Sequence, residues 1–329
     1  MRSALYLGIV GNLNADLWIG PVERFPQCDE ELIVTSARVE LAGTAGYVLH
    51  ACRALGSDAY TVSTLGDDVF GRAVLRAVSE LGFTTDGVDV LAGMETALGM
   101  IFIDPSGRRS ILATLGAHSE MSMDVVAAHD EAAAQCDTIL LCGAYSFPKL
   151  SPADMAPYAS RARERGQVVA FDPSWDPSGW SERTRRDTFT LLSEVDVYLP
   201  NESELTHLTG RSDWREALRD VESLAAEVVL KRGALGAVQT SGGAWTEVPA
   251  FPVNAVNTVG AGDVFDTAYL YALWQGWEVE RRLEFACAFA AMVVSQPDDR
   301  TYPSQAEVES FIETSGRARR RDDQGAGAP

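Results

Sequence analysis

The chain has no surplus of positive charge: Lys and Arg number 27 against 47 Asp and Glu, a formal net charge of −20. Such a surface repels nucleic-acid phosphates and anionic membrane faces, so neither is an expected partner. Small anionic ligands stay open, because local charge decides their binding. Cysteine pairs are missing as well. Cys28, Cys52, Cys136, Cys142 and Cys287 are odd in number, scattered and without Cys-x-x-Cys spacing. Most sit in apolar stretches and read as buried free thiols in a reducing cytoplasm. His50, His118, His129 and His207 show no metal-ligand spacing. The apolar run from Leu5 to Val10 is too short for a signal segment, and no later run is long enough to span a bilayer. Neither a Gly-x-x-x-x-Gly-Lys-[Ser/Thr] loop nor a Gly-x-Gly-x-x-Gly after the first strand is present, which excludes Walker-type and dinucleotide-binding readings.

What is present is ample apolar material, 46% of 329 residues, enough for one sizeable α/β unit and an accessory piece. Leu5 to Val10 reads as a buried first strand ending at Gly11-Asn12. Further strand-like runs are Tyr60 to Leu65, Thr138 to Leu141, Val168 to Phe171, Val195 to Leu199 and Val228 to Leu230. Helical patterns cover Gly43 to Leu55, Pro152 to Arg165, Ser181 to Leu192 and Asp213 to Ala225. Strands alternating with helices of this length predict a mostly parallel sheet. Two β-rich patches interrupt the alternation: Asp16 to Glu40, with Leu32-Ile33-Val34 β-like, and a hairpin from Thr96 to Leu112 turning at Asp104-Pro105-Ser106-Gly107. They predict a small sheet folded over the site. From Gly316 onward no apolar period survives, which predicts a disordered tail.

The chain is organised around Asn257-Thr258-Val259-Gly260-Ala261-Gly262-Asp263. Phe265, Ala268, Tyr269, Ala272 and Leu273 then fall on one helix face, and Gly276 reads as the stop. A helix N-terminus has unpaired N–H groups and a positive dipole end. Glycines let an anion approach that backbone closely. Asp263 adds the wrong charge for simply holding phosphate, but suits a base that takes a proton from an attacking hydroxyl. Taken alone, it is better explained as a helix cap, and the rest of the chain reverses that.

Thr258-x-Gly260-Ala261-Gly262-Asp263-x-Phe265 resembles the C-terminal signature of the ribokinase-type (PfkB) sugar and nucleoside kinases, and further motifs recur in that family's order over nearly the whole chain. The resemblance implies a ribokinase-like three-layer α/β/α fold with a mostly parallel central sheet and a small β lid. The core would comprise 1–12, 41–94 and 113–315, the lid 13–40 and 95–112, and the tail 316–329. It implies an ATP-dependent phosphotransferase with Asp263 as catalytic base and Gly260, Ala261 and Gly262 as its anion hole.

The same resemblance assigns the remaining residues. Asn14 and Asp16 would meet acceptor hydroxyls, although Asp16 also suits an Asx turn. Gly43 and Tyr47 occupy a Gly-Gly-x-x-x-Asn run in which Ala42 replaces the first Gly and Tyr47 the Asn. Tyr47 removes an amide and offers a ring and one hydroxyl instead. His118 falls in a loop near the sugar. Gly66-Asp67-Asp68 to Gly71 matches a further run, whose main role is turn and helix cap. Asn201 and Glu204 match an Asn-x-x-Glu that organises Mg²⁺ and its waters, and they equally suit a capping box. Phe171-Asp172-Pro173-Ser174 stands at a strand end. Lys231, Gly233 and Gly236 line the implied nucleotide site with Thr258; for Lys231 and Arg232, phosphate contact and a solvated surface role are both open. Many members bind K⁺ beside the anion hole through an Asp; Asn257 is neutral and speaks against a monovalent cation, Asp298 and Asp299 speak for one, and Arg300 offers positive charge in its place. The acceptor is a small sugar or sugar-like molecule; a nucleoside kinase and a catalytically weak regulator are alternatives. A homodimer through the lid is compatible with this layout.

Overall fold

The computed structural model describes residues 3–105, 108–296 and 301–325, with 316–325 in backbone only. The first strand, β1 (Tyr6–Val10), is followed by β2 (Asn14–Gly20), β3 (Ser36–Ala42), β4 (Asp58–Gly66) and β5 (Val88–Leu91). The hairpin β6 (Leu98–Ile103) and β7 (Arg109–Ala113) comes next. Then come β8 (Thr138–Cys142), β9 (Val168–Asp172), β10 (Val197–Tyr198), β11 (Glu227–Lys231), β12 (Ala237–Ser241) and β13 (Ala244–Val248).

Nine strands form one sheet in the order β13-β12-β11-β10-β9-β8-β1-β4-β5. It is parallel from β11 to β5, with β12 and β13 antiparallel at one edge. Continuous apolar strands such as β8, buried along its length, need cover on both faces. Two hydrophobic clusters supply it. One packs Val48, Leu49, Phe265, Tyr269, Phe285 and Phe289 against the sheet; the other packs Met155, Tyr158, Leu191, Leu205 and Leu218. The result is the expected α/β/α layering.

Strand order turns at β1, which has β4 on one side and β8 on the other. Loops leaving the carboxyl ends there open a crevice, the usual ligand position in such sheets. Gly8 permits this close pairing, since a Cβ on it would come 2.6 Å from Ile139 Cδ1.

The second sheet has the order β3-β2-β6-β7. Leu32-Ile33-Val34 is not a strand; Ile33 is 88% exposed, and pairing begins at Ser36. The reason is periodicity. Ala37, Val39 and Leu41 alternate in register with Ile19, Leu17 and Ala15, whereas the run at 32–34 has no such partner. The final helix, Gln305–Gly325, also departs from expectation, because the tail predicted to be disordered from Gly316 is helical as far as Gly325. Val308, Phe311 and Ile312 pack its first half on the core, and a nucleated helix extends cheaply. Residues 326–329 lie outside the described residues. Among the described residues, no helix is long and apolar enough to cross a membrane.

Candidate active site

Four loops at strand ends and one helix N-terminus converge on a cavity of about 550 Å³. Helix Ala261–Trp274 begins at its floor. Its N-cap is Gly260, at φ 75°, a left-handed conformation suited to glycine, and no side chain caps the helix. The N-terminal dipole therefore faces the cavity, which Ala261, Gly262 and Asp263 line. Burial pushes the Asp263 carboxyl up to about 8, and the charges of Asp172 and Glu204 add to that against the pull of Lys231.

Lys231 ends β11 and is buried beneath this turn. Its Nζ donates to Asp172 Oδ2 at 3.1 Å and to Asp266 Oδ2 at 2.8 Å. A Cβ on Gly262 would lie 3.4 Å from that nitrogen. Burial disfavours the ammonium, but Asp172, Asp266 and Glu204 more than offset it and hold Lys231 protonated. Burial also opposes ionisation of Asp172, yet Lys231 draws its carboxyl below the ordinary range. Asp266 goes the other way: burial raises it well above that range, against the pull of Lys231. The ammonium therefore favours the ionised form of Asp172, whereas burial favours the neutral form of Asp266. The surface alternative for Lys231 and Arg232 does not hold. Arg232 pairs with Glu202 and Glu247 and stacks over Trp214 at 4.2 Å, with 11% of its side chain exposed.

Asn201 follows β10 and caps helix Glu202–Thr209. Its Oδ1 accepts from the Glu204 backbone N–H at 2.9 Å, and Glu204 Oε2 accepts from the Asn201 N–H at 2.8 Å. This is the capping box. Both residues also line the cavity, and burial with the Asp172 charge lifts Glu204 to about 7. Gly233 and Gly236 line the same cavity at φ 54° and 100°. A Cβ on Gly236 would meet the Val248 carbonyl at 2.0 Å, so this turn admits no side chain. The far wall is apolar, from Phe251, Pro252 and Val253 and from Cys287, Ala290, Ala291 and Val294 at helical spacing along Val279–Val294. Trp175, half exposed, stands at the cavity edge with its ring against His207 at 5.1 Å.

Thr44 also lines the cavity and opens a polar chain. Its hydroxyl donates to Asn12 Oδ1 at 2.5 Å, Asn12 Nδ2 to Asn14 Oδ1 at 3.3 Å, and Asn14 Nδ2 to Asp16 Oδ1 at 2.9 Å. The Tyr47 hydroxyl donates to Asp16 Oδ2 at 3.3 Å. Burial raises Asp16 to about 6 despite the hydrogen bonds from Tyr47 and Asn14. Gly43, at φ 80°, brings the start of helix Gly43–Ala54 so close that a Cβ would lie 2.2 Å from the Asn12 carbonyl. The Tyr47 ring lies beneath Gly260, so one side chain touches both the Asp16 network and the helix N-cap.

His118 stands apart from the cavity lining. It is 3% exposed, with Nε2 bonded to the Leu13 carbonyl at 3.1 Å and its ring edge-on to Phe147. Burial drops it to about 4, so it is a neutral brace for the turn leaving β1. Asp68 caps helix Val69–Glu80 through the Gly71 N–H at 2.8 Å and also holds Thr96 Oγ1 at 2.7 Å, tying β4 to the start of the hairpin. Asp298, Asp299 and Arg300 lie outside the described residues.

Sequence reasoning did not assign Asp266 or Arg109 to the site. Asp266 had one signal, an acidic residue on the core-facing side of an apolar helix. Arg109 had none: its Nη1 donates to Asn257 Oδ1 at 2.8 Å and its Nη2 to Thr258 Oγ1 at 2.9 Å, across almost half the chain.

The arrangement joins an apolar slot, a helix N-terminus whose dipole faces the cavity beside the Asp263 carboxylate, and a hydrogen-bonded polar chain from Thr44 to Asp16. The chain is 28% identical over 303 residues to the ATP-dependent ribose-1-phosphate kinase of Halopiger xanaduensis, covering 92% of this chain and 96% of that one. It is 26% identical to the ribokinase of Haemophilus influenzae, over 93% and 98% of the two chains. The structure of Arabidopsis thaliana ribokinase complexed with ribose and ATP superposes with a TM-score of 0.77 at 25% identity, covering 94% of this chain and 99% of that one. Residues 5–306 match the model of the pfkB family carbohydrate kinases, and the chain belongs to that family of kinases.

Proposed function

We propose that this kinase transfers the terminal phosphoryl group of ATP to a hydroxyl of a small furanose-type sugar, with Asp263 as general base. The observation that carries the reading is the position of Asp263. It stands in the first turn of an uncapped helix and lines one cavity together with the apolar slot and with Thr44, the head of the Asn12–Asn14–Asp16 chain. The slot suits an adenine ring. The Ala261–Asp263 turn suits phosphoryl oxygens, whose developing charge its N–H groups stabilise in the transition state. Asp16, Asn14 and Tyr47 suit acceptor hydroxyls, and relatives named for ribose and ribose 1-phosphate make pentoses the first class to test.

The donor set fits magnesium held mostly by phosphate and water. Among the described residues no group of three or more His, Cys, Asp or Glu forms a cage, and Glu204 lines the cavity beside Asn201. Mg²⁺ keeps several waters and needs few protein ligands. The ion would offset the acidic side chains that meet the incoming polyphosphate.

The nucleoside alternative loses its motive, because the Tyr47 ring is 6% exposed and already packed on Gly260. A homodimer through the small sheet remains part of the proposal. Val39 and Leu112, in register across β3, β2, β6 and β7, are exposed on one face of it. A cytoplasmic setting accords with free thiols at Cys52, Cys136, Cys142 and Cys287, all buried.

The test is a phosphorylation assay with MgATP across ribose, 2-deoxyribose, ribose 1-phosphate and a set of nucleosides. The expected result is turnover on at least one pentose. Turnover confined to nucleosides would overturn the acceptor assignment.

A further inference from the structure

We propose that Arg109 is a positioning residue for phosphoryl transfer: it fastens the small sheet to the segment entering the Gly260–Gly262 turn, so that the turn is held for reaction while the sheet covers the acceptor site. The proposal rests on reading that turn as the place where the transferred phosphoryl group sits.

Arg109 is the first residue of β7, paired with Ile103 of β6. Its two terminal nitrogens reach adjacent side chains, Asn257 Oδ1 at 2.8 Å and Thr258 Oγ1 at 2.9 Å. A planar guanidinium holds two such acceptors in a fixed relation, which a lysine ammonium does not. Asn257 is itself a hub, 3% exposed. Its Oδ1 also accepts from the Val259 N–H at 3.1 Å, and its own N–H donates to the Val294 carbonyl at 3.1 Å. Thr258 and Val259 then lead directly into Gly260. Arg109 thus holds from above a segment that Val294 holds from below.

The same hairpin touches the acceptor end. Gly99 of β6 lies opposite Asp16 in register, and a Cβ on it would come 2.3 Å from Asp16 Oδ1. One two-stranded unit therefore abuts the carboxylate proposed to bind the acceptor and bonds the side chains before the phosphate turn. The Arg109 bonds are made without an acceptor, so the turn is held in advance, and an acceptor that settles the hairpin on Asp16 reinforces the same contact. Arg109 is part exposed and makes these bonds at the rim, away from the buried packing that holds the fold together.

The experiment compares Arg109→Ala and Arg109→Lys with the wild-type enzyme, using whichever of ribose, 2-deoxyribose and ribose 1-phosphate gives the fastest wild-type turnover. A small displacement of the reacting groups costs up to about 10²-fold in rate, so Arg109→Ala is expected to lower kcat by about 10- to 100-fold, with the KM for MgATP within about threefold. Arg109→Lys should recover little of the loss, whereas added guanidinium chloride should restore part of it to Arg109→Ala and tetramethylammonium chloride at equal ionic strength should not. Hydrogen–deuterium exchange of the ligand-free variant supplies a readout independent of turnover: amides from Val259 to Asp263 should exchange faster, while those of β8 and β9 stay protected. Wild-type kcat with unchanged exchange in Arg109→Ala overturns the proposal. A loss of protection in β8 and β9 as well reduces Arg109 to a fold-stabilising contact and overturns it equally. Asp263→Asn, assayed alongside, separates the two readings. If it turns over like wild type, the phosphate-turn assignment falls and this proposal with it; if it is inactive while Arg109→Ala is unaffected, only the role of Arg109 falls.

Discussion

The ring of Tyr47 underlies Gly260: a Cβ at position 260 would sit 2.5 Å from Tyr47 Cγ, while the Tyr47 hydroxyl donates to Asp16 Oδ2 at 3.3 Å. Tyr47, which the family resemblance sets where an acceptor-binding amide is expected, is thus also the support of the helix N-cap. Its hydroxyl supplies one donor where an amide supplies donor and acceptor. Ribose is therefore expected to be a poor acceptor relative to the best pentose derivative. Tyr47→Asn should raise kcat/KM for ribose by about 5- to 150-fold, the rate equivalent of the roughly 1–3 kcal/mol lost when a buried polar group lacks a partner. It should lower kcat for the best acceptor, because Gly260 loses its support. Ribose turning over in the wild-type enzyme as fast as the best compound in a broad panel would refute this account of Tyr47.

Asp263 is expected to dominate the pH profile. In the ligand-free protein burial and the Asp172 and Glu204 charges raise it to about 8, so the base is protonated at low pH and kcat/KM rises as pH increases. Asp172→Asn removes a like charge and releases Lys231 from its strongest partner, and both changes favour the Asp263 carboxylate. The acid limb should move to lower pH. Asp263→Asn should keep the fold and nucleotide binding and reduce turnover by about 10²–10⁴-fold, the usual worth of a general base. An acid limb that stays in place in Asp172→Asn would mean that another group titrates there.

Much of the architecture is legible in the residues because it is local. The periodicity of Phe265, Ala268, Tyr269, Ala272 and Leu273 sits on helix Ala261–Trp274, and the apolar runs at 138–141, 168–171 and 228–230 sit in parallel strands. Asn12, Asp172, Asn201 and Lys231 share the carboxyl ends of such strands, so strand prediction alone gathers them. Pairing across the fold is what composition hides. Lys231 reads equally as a phosphate contact or a surface cation until Asp172 and Asp266 close on it from different elements. His118 reads as a ligand until the Leu13 carbonyl takes its Nε2. Arg109 and Thr258 stand 149 positions apart, and nothing near either announces the other.

Glu204 caps a helix in the structure and is proposed to hold magnesium-bound water, and one substitution separates the two. In Glu204→Gln the side chain still accepts from the Asn201 N–H, so the capping box survives and thermal stability should be nearly unchanged. A neutral amide holds magnesium-bound water less well than a carboxylate, so the Mg²⁺ concentration at half-maximal activity should rise several-fold. A titration that superposes on the wild-type curve would leave Glu204 as a helix cap and nothing more.

Activity is expected to be largely independent of K⁺. A cation beside the phosphate turn needs negative ligands, and the residue opening the motif here is Asn257, a neutral amide. Its Oδ1, the atom a cation would seek, already accepts from Arg109 Nη1 and from the Val259 N–H. The guanidinium places a permanent positive charge on that oxygen, and like charges at such short range repel strongly in a partly buried site. Removing that charge should reverse the behaviour only if a carboxylate is supplied in its place. Asn257→Asp in the Arg109→Ala background should therefore acquire K⁺ activation, whereas Arg109→Ala alone should not. The measurement is turnover in Tris-buffered MgATP with KCl or with choline chloride at equal ionic strength. A several-fold activation of the wild-type enzyme specific to K⁺ would overturn the prediction and point to Asp298 or Asp299 as the ligand that replaces the missing carboxylate.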